Sequence, residues 1–115
     1  MAVKPIIIRN TEDNTEYTLE FNRESVKFAE ARGFKIEDVT DFPMTKVPEL
    51  FFYAFRMHHK NVARDKTDKI LFDELGGIPN GMLERLAELY VQPFEALSVL
   101  DEGEERKNSK LTVEM

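Results

Sequence analysis

The 115-residue sequence has no cysteine and no tryptophan, and only five glycines and five prolines. Without cysteine there is no disulfide scaffold, no thiolate zinc site, no iron–sulfur cluster and no cysteine nucleophile. Cations are also short: 16 Lys and Arg stand against 22 Asp and Glu, for a formal net charge of -6. The basic footprint of a nucleic-acid binder is therefore missing, and so is a polybasic membrane anchor. No apolar run approaches the roughly 18 residues of a membrane span, and the first residues lack the apolar core of a signal peptide. What is present is 42% hydrophobic and 33% charged residues, with nine Phe and three Tyr. That balance predicts one small, acidic, intracellular domain.

The N-terminal third carries β signals. Val3 to Ile8 is β-branched, with Pro5 near its start as in an edge strand. Residues 10–15 are all turn formers, and Glu16 to Phe21 then alternates, with Tyr17, Leu19 and Phe21 on one face. The two runs predict an antiparallel hairpin, with room for a third strand. Asn22 is placed to cap a helix running to about Arg32, with Val26, Ala29 and Phe28 on its buried stripe. Gly33 falls where a helix C′ residue belongs, and Phe34 can supply the accompanying apolar contact. Residues 35–44 read as a linker pinned by Ile36, Val39 and Phe42.

The rest is helical in pattern. A second helix is expected from Thr45–Val47 to about Asn61, with Pro48 in its first turn. Asp65 or Thr67 can cap a short third helix, which Gly76-Gly77 stops. Asn80 can cap a fourth, whose apolar positions Leu83, Leu86, Tyr90, Phe94 and Leu97 follow steps of three and four. Pro93 predicts a kink or a break after Val91. The architecture expected is α+β: a hairpin packed on about four helices over residues 1–100. Residues 101–115 read as a charged, largely disordered tail whose last residues, Leu111 to Met115, are again mildly apolar.

No catalytic, cofactor or metal constellation can be assembled. His58 and His59 are adjacent, so on a helix they point about 100° apart and cannot share a metal as an i, i+4 pair does. The carboxylate pairs Asp65 with Asp68, Asp73 with Glu74 and Glu84 with Glu88 fall on polar faces or caps among Lys66, Lys69 and Arg85. None is desolvated as a general acid must be. The stretch Gly76-Gly77-Ile78-Pro79-Asn80-Gly81 lacks the Lys-Ser/Thr ending of a phosphate loop and the alternating acids of a calcium loop. The helix pair around it resembles a helix-turn-helix only in outline. Its second helix offers Met82, Leu83, Glu84 and Arg85, then Glu88, which DNA repels. What stands out is the second helix itself, apolar around much of its circumference. Phe51, Phe52, Tyr53 and Phe55, joined by Tyr90 and Phe94, are either core or a protein-interaction surface.

The order of elements carries a resemblance. Tyr17-Thr18-Leu19-Glu20-Phe21 leads into the helix from Asn22 to Arg32, with Glu30 and Gly33 at its end, then an apolar helix, two short helices and a charged tail. This resembles the small tail assembly chaperones of long-tailed bacteriophages and prophages of Gram-positive hosts. The resemblance implies a non-catalytic protein that binds the tape measure protein and tail tube protein during tail building, self-associates, and is absent from the finished virion. It also implies a longer product made by frameshifting in many such genes. A head–tail connector or tail-completion subunit is the alternative, and a small DNA-binding regulator is opposed by the acidic balance.

Overall fold

A computed structural model describes residues 3–97 and Glu114. The hairpin is present, with β1 at Ile6–Arg9 and β2 at Glu16–Leu19. The strands pair antiparallel with Ile6 opposite Leu19, Ile7 opposite Thr18, Ile8 opposite Tyr17 and Arg9 opposite Glu16. Among the described residues the sheet has two strands and no third. The connecting loop holds itself by local polar contacts. Asn10 Oδ1 accepts from the Glu12 N–H at 2.9 Å, and Asp13 Oδ1 accepts from the Thr15 N–H at 2.9 Å. Such Asx contacts are what Asn and Asp bring to turns.

Helix α1, Arg23–Ala31, begins and ends where its sequence signals lie. Asn22 Oδ1 accepts from the Ser25 N–H at 2.8 Å, and Ser25 Oγ accepts from the Asn22 N–H at 2.9 Å. This reciprocal capping satisfies two backbone donors that the first turn leaves orphaned, with Ser25 in the role Glu or Gln more often fills. At the other end Gly33 takes φ +86°. The Phe34 N–H reaches the Ala29 carbonyl at 3.1 Å and the Gly33 N–H reaches the Glu30 carbonyl at 2.9 Å. That is the paired bonding of a Schellman ending, and it turns Phe34 back into the core.

Residues 35–42 are more ordered than a linker: one helical turn, α2, spans Asp38–Asp41. Ile36 and Val39 rest on the core, but Phe42 is 59% exposed and pins nothing. Helix α3, Pro43–Ala54, follows directly with proline in its first turn. It ends seven residues before the expected Asn61, and the reason is a hydrogen bond. The Ala54 carbonyl, which residue 58 would claim in a continued helix, accepts the Glu20 N–H at 3.0 Å. The chain therefore leaves α3 through tight turns, in which the Phe55 N–H bonds the Phe52 carbonyl and the His59 N–H bonds the Phe55 carbonyl.

Helix α4, Arg64–Lys69, starts earlier than Asp65 or Thr67 as a cap would allow, with Ala63 at its N-cap position. Thr67 is instead fully buried, its hydroxyl donating to the Arg64 carbonyl at 2.9 Å. The helix then widens into a π-helical segment, Ile70–Glu74, closed by the Leu75 N–H on the Ile70 carbonyl. Helix α5, Met82–Val91, is entered through Gly81 at φ +81° rather than through Asn80. The expected break at Pro93 occurs: from Gln92 to Leu97 the chain is 3₁₀. Of the expected helical stripe, Leu86 and Tyr90 are buried, Leu83 and Phe94 are partly buried, and Leu97 is in solvent. The 101–115 tail lies outside the described residues, apart from Glu114, which is exposed.

The core is one cluster drawn from β2, α1, α3, the π segment and α5, with Leu19, Leu50, Phe51, Ala54 and Leu86 at its fully buried centre. The capping contact is a direct test of how α1 is held. Replacing Asn22 with Ala is expected to lower stability by about 1 kcal/mol. The Asn22→Ser variant should recover most of that loss, as read by urea denaturation midpoints at unchanged slope.

Candidate interaction surfaces

The aromatic residues singled out in the sequence are mostly interior. Phe51, Phe55 and Tyr90 are at most 1% exposed and Tyr53 is 6% exposed; Phe52 and Phe94 are partly buried against the same core. A small domain covers this many rings by packing them edge to face. Tyr90 stands edge-on to Phe21 at 5.0 Å and to Phe34 at 5.4 Å, Phe34 meets Tyr53 at 5.4 Å, and Phe55 meets Phe51 at 5.1 Å. This arrangement sets positive ring edges against negative faces and joins α1, α3 and α5. Desolvation of its ring pushes the Tyr90 hydroxyl up to about 12. Phe28 sits partly buried on α1 beneath two guanidinium groups, Arg56 at 3.8 Å and Arg32 at 4.4 Å. These cation–π contacts cover the outer side of the ring, which also meets Tyr53 edge-on at 6.0 Å.

Two surfaces remain. The first is the N-terminal end of α3, where Met44 is 89% exposed and Phe42 59%. Met44, Val47, Phe51 and Ala54 fall at steps of three, four and three, so they share one face of the helix. Along it exposure falls from Met44 through half-buried Val47 to fully buried Phe51. The apolar stripe thus overruns the core by a full turn. The sequence pattern contains this stripe, but only the position of the core shows which end projects.

The second is the sheet edge. β2 has its outer edge covered by the chain leaving α3: Glu20 bonds Ala54, and the Thr18 N–H donates to His59 Nε2 at 2.9 Å. β1 has no such cover among the described residues. Because the Thr18 N–H points away from β1, the pair Ile7–Thr18 is a non-hydrogen-bonded one, and the backbone groups of Ile7 and Arg9 face outward. Beside that edge runs a groove lined by Ile7, Arg9, Leu75, Pro79, Met82 and Arg85. Ile7 is 49% exposed and Leu75 36%.

The two histidines have a structural role that their adjacency in sequence does not reveal. His58 Nε2 lies 2.9 Å from Glu20 Oε1, while His59 is wedged edge-on to Tyr17 at 5.3 Å and accepts from Thr18. Among the described residues no group of three acidic or histidine side chains could hold a metal, and no helix is long and apolar enough to cross a membrane.

His59 makes the junction pH-sensitive. Desolvation, and next the neighbouring His58, hold its pKa below the ordinary value near 6.5. The unfolded chain therefore binds a proton that the folded chain refuses. The stability that neutral His59 provides is complete above about pH 6.5 and is lost as pH falls through its depressed folded pKa. Urea midpoints followed between about pH 5 and about pH 8 should fall more steeply toward acid in the native chain than in the His59→Gln variant, which keeps an acceptor without titrating. Parallel curves would remove His59 from the account.

No curated protein and no solved structure matches the chain. All 115 residues, 1–115, match the family described as a domain of unknown function, DUF5055, and the chain belongs to that family.

Proposed function

We propose that the chain is a non-catalytic binding protein that presents the overrunning end of the α3 stripe to an apolar partner. The carrying observation is the exposure of Met44 in the first turn of α3 and of Phe42 just before it, where the other apolar residues of the helix are buried or partly buried. An apolar side chain such as Met44 gains nothing from projecting into water, and its adaptable thioether suits contact with an irregular apolar surface. The resemblance to phage tail assembly chaperones supplies the partners, the tape measure protein and tail tube subunits. On this reading the chain works in the host cytoplasm by mass action, lowering the free concentration of an aggregation-prone protein without chemistry. The net charge of -6 keeps such a carrier soluble while its apolar end is free.

Co-expression with a tape measure protein tests this. The native chain should keep the partner soluble and co-purify with it. The double variant Phe42→Ser, Met44→Ser should cut the co-purified partner about tenfold or more. Because both side chains are exposed, its own stability should move by no more than about 0.5 kcal/mol per substitution. A partner that stays insoluble with the native chain, or binds the variant equally well, overturns the proposal. Mass spectrometry of purified virions should find no copies of the chain; finding them points to a connector or tail-completion subunit instead.

A further inference from the structure

A cavity at the ends of α1 and α5 is lined by a buried tyrosine whose hydroxyl has no partner in the protein. We infer that this cavity binds a primary ammonium group on an apolar stem, the side chain of a lysine on a partner protein, with Tyr90, Glu30 and Glu37 as its polar contacts. The site is built from residues other than Phe42 and Met44, and the inference does not rest on the proposal for that surface.

Tyr90 supplies the central observation. It is 1% exposed, and its ring is held edge-on by Phe21, Phe34 and Phe94 at 5.0, 5.4 and 5.9 Å. Among the described residues no group hydrogen-bonds its hydroxyl, yet no side-chain oxygen is sealed inside the protein without a partner. The hydroxyl is therefore the part of Tyr90 that stays open, and it opens onto the cavity of about 580 Å³ that Tyr90 lines. A buried tyrosine ordinarily finds a partner for that oxygen. Here the partner comes from the cavity, and the surroundings select a cation over water.

Glu30 and Glu37 line the same cavity. After desolvation, their charges help push the Tyr90 hydroxyl up to about 12, so both carboxylates act on that oxygen. The hydroxyl stays neutral near physiological pH; its oxygen can accept from an ammonium while its proton remains for a carboxylate. The cavity also lies at the C-terminal ends of two helices, reached by Gly33 and Phe34 after α1 and by Tyr90 in the last turn of α5. Such ends favour cations, and neither helix has a basic residue in its last turn. The Arg32 guanidinium is turned onto Phe28 at 4.4 Å. Lys35, also on the lining, forms no ion pair among the described residues. The walls are Phe34, Ile36 and Phe94, which suit the methylene stem of a lysine. An ammonium brings three donors to one hydroxyl and two carboxylates, whereas a guanidinium needs acceptors in the plane of its fork.

The test is an NMR titration of the full-length chain with Nα-acetyl-lysine methylamide at low salt. The Gly33 and Ile36 amides and the Tyr90 ring signals should shift saturably, with a Kd on the order of 1 mM. The norleucine analogue, which keeps the apolar stem and lacks the ammonium, should bind at least about tenfold more weakly. Tyr90→Phe, and separately the double variant Glu30→Gln, Glu37→Gln, should each weaken the lysine probe by about tenfold. Because the Tyr90 hydroxyl bonds nothing inside the protein, Tyr90→Phe should leave the urea midpoint unchanged. A lower midpoint reveals an internal partner and overturns the inference. Shifts that fail to saturate, or that spread over the acidic surface, also overturn it. Equal binding of the norleucine analogue, or of the lysine probe by either variant, does the same. No partner protein enters these measurements, so none of the outcomes bears on Phe42 and Met44.

Discussion

A two-stranded hairpin with strands of four residues does not hold itself together in water. Here it is held by the hydrogen bond from Glu20 to the Ala54 carbonyl and by the Thr18 bond to His59. These contacts do more than extend the sheet. By taking the carbonyl that would continue α3, Glu20 ends that helix, and the turns that follow bring His58 and His59 back over β2. Helix termination and strand protection are thus one event. It also fixes the height of Tyr17 against Phe55, whose rings meet at 5.4 Å, and so the seat of the hairpin on the aromatic core.

The aromatic core answers a problem of size. A chain of this length buries a smaller fraction of its surface than a larger domain does, and flat rings cover more area per residue than aliphatic side chains. Phe34, on the turn after α1, meets Tyr53 of α3 and Tyr90 of α5 and so ties the end of α1 to both helices. Phe28 is met by the edge of Tyr53 on one side and covered by two arginines on the other, which lets α1 keep a charged outer face over a partly buried aromatic. The π-helical widening at Ile70–Glu74 serves the same geometry. Ile70 and Leu71 stay buried while Phe72 turns outward, so the extra residue is absorbed without a break in the core.

Features governed by neighbours in sequence were legible beforehand. The Asn22 cap, the Gly33 ending, the hairpin and the break before Pro93 each rest on one or two residues and their backbone preferences. What could not be read depends on partners far along the chain. The end of α3 is set by Glu20, more than thirty positions away. The burial of Phe51, Phe55 and Tyr90 depends on rings supplied by other elements, and helical spacing alone leaves core and interface equivalent. Asn80 carries a good capping side chain, yet Gly81 enters α5, because the left-handed turn after Pro79 places the first helical residue one position later. The exposed end of the α3 stripe was hidden for the same reason: Met44 continues the pattern of Val47 and Phe51, and only the boundary of the core separates them.

The two sheet edges are managed in opposite ways, and the contrast explains the chemistry along β1. An uncovered edge invites indiscriminate pairing unless something limits it. Here the strand is four residues long, Pro5 removes a donor at its start, and Arg9 closes its end in an ion pair with Glu16 at 2.6 Å. Only Ile7 and Arg9 offer outward N–H groups within the strand, so backbone bonding alone is too little to hold an added segment. Any strand that binds must also place apolar side chains against Leu75 and Met82 and tolerate Arg85. The side chains of the groove therefore restrict what the short backbone edge alone would not.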